Sequence, residues 1–173
     1  MRKITGIIVH CTATRADWWS GKSLAKKIAE VTRWHVEDRG WSDCGYHYLI
    51  DRDGKVGAAR PIARNGAHVR GHNKGTIGVA LFGGHGSNET DAFADNFTPQ
   101  QDAALRQLIG NLLHQYGPVH VTGHNEYAAK ACPGFAVESW WRLASYKPVT
   151  APTPPAQVHW LTALLQSLFG GKT

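Results

Sequence analysis

The chain has 173 residues, 42% of them hydrophobic and 18% charged, with 19 glycines and 8 prolines. That composition excludes a disordered tail, a collagen and a coiled coil, and a folded chain of this length hides roughly 70% of its unfolded surface, so its core needs no disulfide staples. The net charge of +6 sits in one half: residues 1–74 carry 14 Lys/Arg against 7 Asp/Glu, and residues 75–173 carry 5 against 6.

Ile4–Val9, rich in β-branched residues, predicts a buried strand. Ser23–Arg39 predicts a helix, with Leu24, Ile28, Val31 and His35 on one face and Gly40 as its stop. Tyr46–Asp51 predicts a second strand, joined through the Asp53-Gly54 turn to Val56–Ala59. Thr76–Phe82 is a further apolar strand. Thr98-Pro99-Gln100-Gln101 is a capping box with proline at the first helical position. It opens a helix whose stripe runs through Leu105, Leu108, Ile109, Leu112 and Leu113 to Gly117-Pro118. Val119–Thr122 predicts a last strand and Val137–Ala144 a short helix. The fold class expected is α/β: a mixed central sheet with helices packed on its faces. Residues 1–147 form the domain and 148–156 a stiff Pro-rich linker. Residues 157–173 are expected to form a short apolar C-terminal helix, and no charge lies between Lys147 and Lys172. Three uses suit its stripe over 157–169: folding back on the domain, contact with a membrane interface, or self-association.

Three cysteines allow one bridge at most, so a reactive or metal-bound thiol is worth seeking. His10 closes the first strand, His124 closes the last, and Cys132 follows eight residues later in a loop. Two imidazoles and one thiolate with a fourth position open are the pattern of a catalytic zinc site at one sheet edge. Ten histidines also offer chance pairs. Cys11 points to the opposite face from His10 and reads as packing, Cys44 reads as structural, and His47 faces away from its neighbours Tyr46 and Tyr48. Between Lys55 and Lys74 lie five basic residues and no acid, a patch that attracts anions or is an ordinary solvated face. No zinc-finger pair or RNA-recognition signature supports nucleic acid as a partner.

Several blocks in order resemble one family. Val9-His10-Cys11-Thr12-Ala13-Thr14 comes first. Trp34-His35 with Gly40-Trp41 and Gly45-Tyr46-His47-Tyr48 follow, then Arg52-Asp53-Gly54. Next are Gly66-Ala67-His68 with Gly71-His72-Asn73, Ile77-Gly78-Val79 and Gly83-Gly84, then Asn96-Phe97-Thr98-Pro99. Gly123-His124-Asn125-Glu126 and Lys130-Ala131-Cys132-Pro133-Gly134-Phe135 close the series. Together they resemble the type-2 N-acetylmuramoyl-L-alanine amidases, relatives of the peptidoglycan recognition proteins. Lysine two residues before the cysteine is similar to the phage amidase-type lysozymes of that group.

The resemblance implies Zn²⁺ at His10, His124 and Cys132, with Tyr46 and Lys130 as polar catalytic partners. It implies hydrolysis of the bond between N-acetylmuramic acid and L-alanine of peptidoglycan, in a phage endolysin that lyses its host. It places His68 and Asn73 at the substrate cleft; a solvated loop histidine is the other reading of His68. His35 is a packed core histidine or a substrate contact, and Trp41 lines the groove or pins its loop. A non-catalytic peptidoglycan-binding module would usually lack the cysteine. The run Ile4–Val9 is too short and interrupted for a secretory signal, and no stretch reaches the roughly 20 apolar residues that span a bilayer. The expectation is synthesis in the host cytoplasm and action on the cell wall after release.

Overall fold

Strand β1 (Gly6–Cys11) is buried at all six positions, which only a central strand covered on both faces can be. The computed structural model describes residues 2–143 and places β1 inside a five-stranded sheet. The other strands are β2 (Tyr48–Ile50), β3 (Val56–Ala58), β4 (Thr76–Leu81) and β5 (His120–Gly123). Their order is β3-β2-β4-β1-β5. β4 and β5 run parallel to β1, β2 runs parallel to β4, and β3 pairs antiparallel with β2 across the Asp-Gly turn. The sheet is therefore mixed, with one antiparallel edge.

The helices are α1 (Leu24–Arg33), α2 (Phe93–Asn96), α3 (Pro99–Tyr116) and α4 (Val137–Leu143). Ile7, Val9 and Cys11 of β1 join Ile77, Val79 and Leu81 of β4 in one core, with Leu105, Ile109 and Leu112 of α3 and Val137 and Trp140 of α4. Val31 of α1 packs with Leu49, Ala80 and Phe82 in a second core. Alternation along β1 sends His10 to this α1 side.

Two elements depart from the sequence reading. The helix expected over Ser23–Arg39 is an α-helix only to Arg33; Trp34–Asp38 form a π-helical turn, and Gly40 at φ +70° ends it. The wider turn keeps Trp34 bonded to Glu30 at 2.7 Å while His35 is turned inward, an adjustment that apolar periodicity cannot report. The four-residue α2 was not expected, because one turn is too short to show a period. The strands start or stop up to two residues from their expected bounds. The linker over 148–156 and the apolar segment over 157–173 lie outside the described residues. Among the described residues no helix is long and apolar enough to cross a membrane.

Polar groups lock the layers. The capping box forms as expected: Thr98 Oγ1 accepts from the Gln101 amide at 3.1 Å, and Gln101 Oε1 accepts from the Thr98 amide at 3.2 Å. Gln101 is fully buried, and its side-chain amide also donates to the carbonyls of Phe82 at 2.9 Å and Ile50 at 3.2 Å. Replacing it with leucine strips a buried carbonyl of its partner. Gln101→Leu is expected to cost about 1–3 kcal/mol in urea unfolding at pH 7.

His47 is equally enclosed. Its Nδ1 accepts from the Gly78 amide at 3.0 Å, so its proton sits on Nε2 and donates to the Arg64 carbonyl at 3.1 Å. Burial lowers its pKa from 6.5 to about 4. The unfolded chain then binds a proton that the folded chain refuses between those values, so stability is present above pH 6.5 and is lost as the pH falls towards 4. The melting temperature should fall over that window. The fall should be shallower in His47→Asn, whose amide oxygen can still accept from Gly78.

Candidate active site

The carboxyl ends of parallel strands are where such sheets bind ligands, and two of them meet here. His10 is the fifth residue of β1 and fully buried. β5 ends at Gly123, and His124 is the first residue of a 3-10 turn, one position beyond the strand it was expected to close. The two rings lie 4.7 Å apart, centre to centre. Cys132 arrives from the following loop. Its Sγ lies 3.8 Å from His10 Nδ1 and accepts from the Cys11 amide at 3.3 Å.

His10, His124 and Cys132 each offer one ligand atom, and those atoms all lie within 4.8 Å of one another. Nitrogen and sulfur atoms on one tetrahedral zinc stand roughly 3.5 Å apart, so a small inward movement suffices for the group to hold a metal ion. Burial holds both histidines below their ordinary pKa, helped by the charge of Lys130 and, for His10, by the neighbouring histidines. Both are neutral imidazoles with a lone pair to offer.

Tyr46 leads into β2 rather than starting it, and its ring sits 5.2 Å from that of His10. Burial raises its pKa, so it remains a protonated phenol and a hydrogen-bond donor. Lys130 stands on the exposed loop two residues before Cys132. A cleft of about 500 Å³ opens beside this group, lined by Thr12, Val31, Trp34, His35, Asp38, Arg39 and Tyr46.

The four residues that the resemblance placed at the substrate are divided. His35 lines the cleft, and its Nδ1 accepts from the Gly45 amide at 3.0 Å. Trp41 stacks on His35 at 4.8 Å, and its amide donates to the His35 carbonyl at 2.9 Å, so it backs the cleft wall and pins its loop. His68 lies behind His10, with Nδ1 3.1 Å from His10 Nε2. The Asn73 side-chain oxygen accepts from the amides of His68 at 2.8 Å and Val69 at 3.0 Å. Arg39 and Thr12 in the cleft lining were missed. Only their closeness in sequence to His35 and His10 pointed to them. The basic stretch is no continuous rim: Arg60 is buried and donates to the carbonyls of Cys44 at 2.6 Å, Asn65 at 2.6 Å and Asp43 at 3.2 Å, while Arg64 pairs with Asp43.

Comparison with known proteins agrees with this geometry. The family model described as N-acetylmuramoyl-L-alanine amidase matches residues 1–135. The chain belongs to that family. It is 42% identical over 135 residues to the endolysin of Escherichia phage T7, spanning 78% of this chain and 83% of that one. It is also 42% identical over 138 residues to the endolysin of Klebsiella phage KP32, with the same coverage. An endolysin amidase of Clostridium intestinale, LysCS, superposes with a TM-score of 0.65 at 25% identity, over 82% of this chain and 84% of that one. Drosophila PGRP-LB shares the fold, with a TM-score of 0.66 at 22% identity over 89% of this chain and 87% of that one. The chain is thus an N-acetylmuramoyl-L-alanine amidase by family, and peptidoglycan is its class of substrate.

Metal-stripped amidase titrated with Zn²⁺ against a competing chelator is expected to take up one ion. Cys132→Ser is expected to weaken uptake by at least about a hundredfold, more than the loss of an outer-shell partner costs.

Proposed function

We propose that this amidase is a phage endolysin which, with zinc held by His10, His124 and Cys132, cuts the amide between the lactyl group of N-acetylmuramic acid and L-alanine. It would act on the host cell wall after release from the cytoplasm. The observation that carries the reading is the meeting of two neutral imidazoles and one thiol beside a cleft, with the Tyr46 phenol against His10 and the Lys130 charge acting on both histidines. The identity to phage endolysins supports the biological setting.

Two nitrogens and a sulfur from protein leave one tetrahedral position open, as in catalytic rather than structural zinc sites. Zinc bound there supplies Lewis acidity, polarising an amide carbonyl and making water a nucleophile at neutral pH. The chain's own groups do the rest. Tyr46, held neutral, donates to the oxygen on which negative charge develops and does not act as a base. Lys130, whose charge acts on His10 and His124, adds a positive charge near the ligand group. The leaving amine must gain a proton, and these two are the donors at hand. His35 and Arg39 face the cleft, where a guanidinium suits the carboxylates of a stem peptide.

Release of dye from labelled cell walls, assayed with and without a chelator, tests the reading. Hydrolysis that survives full removal of metal would sink it. Tyr46→Phe and Lys130→Ala are expected to retain zinc and to lose most of kcat with little change in KM, because both act on charge present only in the transition state. Near-normal turnover in either variant removes that residue from the chemistry.

A further inference from the structure

Behind the ligand group runs a line of hydrogen bonds whose direction is set at its far end. The Thr76 hydroxyl donates to the His72 carbonyl at 2.5 Å, and a carbonyl can only accept. Thr76 Oγ1 is therefore left as an acceptor towards His68 Nε2, 3.4 Å away. That places the His68 proton on Nε2. In a neutral imidazole the other nitrogen is then a lone pair, so His68 Nδ1 accepts from His10 Nε2 at 3.1 Å. The His10 proton is on Nε2, and His10 Nδ1, the atom 3.8 Å from Cys132 Sγ, is the free lone pair.

The surroundings of His68 are built for this one placement. The ring stacks edge-on against His10 and His47 at 5.0 and 5.9 Å. A Cβ at Gly78 would come within 2.6 Å of the ring, and one at Gly66 would overlap it. Two glycines on separate segments thus leave the space that the imidazole fills. The two amide bonds to Asn73 hold the backbone of His68 itself. With 7% exposure and both ring nitrogens engaged, His68 has no polar ring atom to offer a bound molecule.

We propose that His68 is a positioning residue: backed by Thr76 and Asn73, it fixes the tautomer and the ring plane of His10 so that Nδ1 always faces the metal. This assigns His68 and Asn73 a task other than substrate contact, and it rests on the reading that the His-His-Cys group holds zinc. A metal-ligating histidine whose second ring nitrogen is held by a fixed acceptor keeps its lone pair aimed before the ion arrives.

The test uses the full chain. Long-range proton–nitrogen correlation spectra of metal-stripped, ¹⁵N-histidine-labelled protein should show both His10 and His68 protonated on Nε2, unchanged when Zn²⁺ is added. His10 protonated on Nδ1, or a mixture, overturns the proposal without any variant being made. His68→Ala should weaken zinc binding about 10–100-fold and leave KM for a soluble muropeptide unchanged once zinc is saturating. His68→Gln, whose amide can accept from His10 and donate to Thr76, should bind zinc nearly as the parent does. Unaltered zinc affinity with a raised KM is the result of a substrate contact and overturns the proposal. If His68→Ala fails to fold, the parent spectrum and the glutamine variant decide. Spectra and zinc affinity need no hydrolysis, so a protein that binds zinc as expected but cuts no cell wall defeats the proposed function and leaves this inference standing.

Discussion

Burial of β1 on both faces is the constraint on which the site depends. Ile7, Val9 and Cys11 face α3 and α4, while Ile8 and His10 face the α1 side. A slip of one residue would drive His10 into the apolar core and leave Cys11 at the cleft. The alignment of β1 with β4 and β5, Val9 beside Val79 and Gly123, therefore decides which face His10 takes as well as how the sheet packs. The same pairing sets His10 one step past the end of the β5 ladder, level with the turn that carries His124.

Around that strand, buried polar ties fix the pieces that flank the cleft. Lys27 of α1 reaches Asp51, just past β2, at 2.8 Å, with both side chains less than a tenth exposed. Such a pair does little for net stability, because desolvation opposes the attraction, but removal of either partner strands a buried charge. Its effect is directional: α1 has one docking position over β2, and the π-helical turn that follows presents His35 and Arg39 to the cleft from there. Gln101 does the same for α3, and Arg60 for the loop leading to Tyr46.

Much of this was legible in the residues. The β-branched runs, the Asp-Gly turn and the Thr98 capping box are local signals with local causes, and each marked its element. Gly40 marked the end of the first helix but not its change of winding. The ligand group was legible because strand ends and the Lys130–Cys132 block follow one another in a recognisable order. His68 was not. Its ring is held through Thr76 and His72, through Asn73, and through the space left by Gly66 and Gly78. These are contacts across segments, and no spacing within a segment encodes them. Lys27 and Arg60 escaped for the same reason: a cation in an amphipathic or basic stretch looks solvated until its partner arrives from elsewhere in the chain.

The ligand group joins residues at opposite ends of the described chain; His10 and Cys132 are 122 positions apart. Contacts of such long range form late, after loop closure has been met by other pairings. Among the described residues β5 is also the last strand of the sheet to be synthesised, and its one partner there is β1. A ribosome making this protein therefore exposes His10 early, without the other two donors. The three donors do not meet until the loop carrying Cys132 has emerged and β5 has closed the sheet. Emergence of that loop is itself the step that assembles the group, and a fragment truncated anywhere before it lacks the third donor.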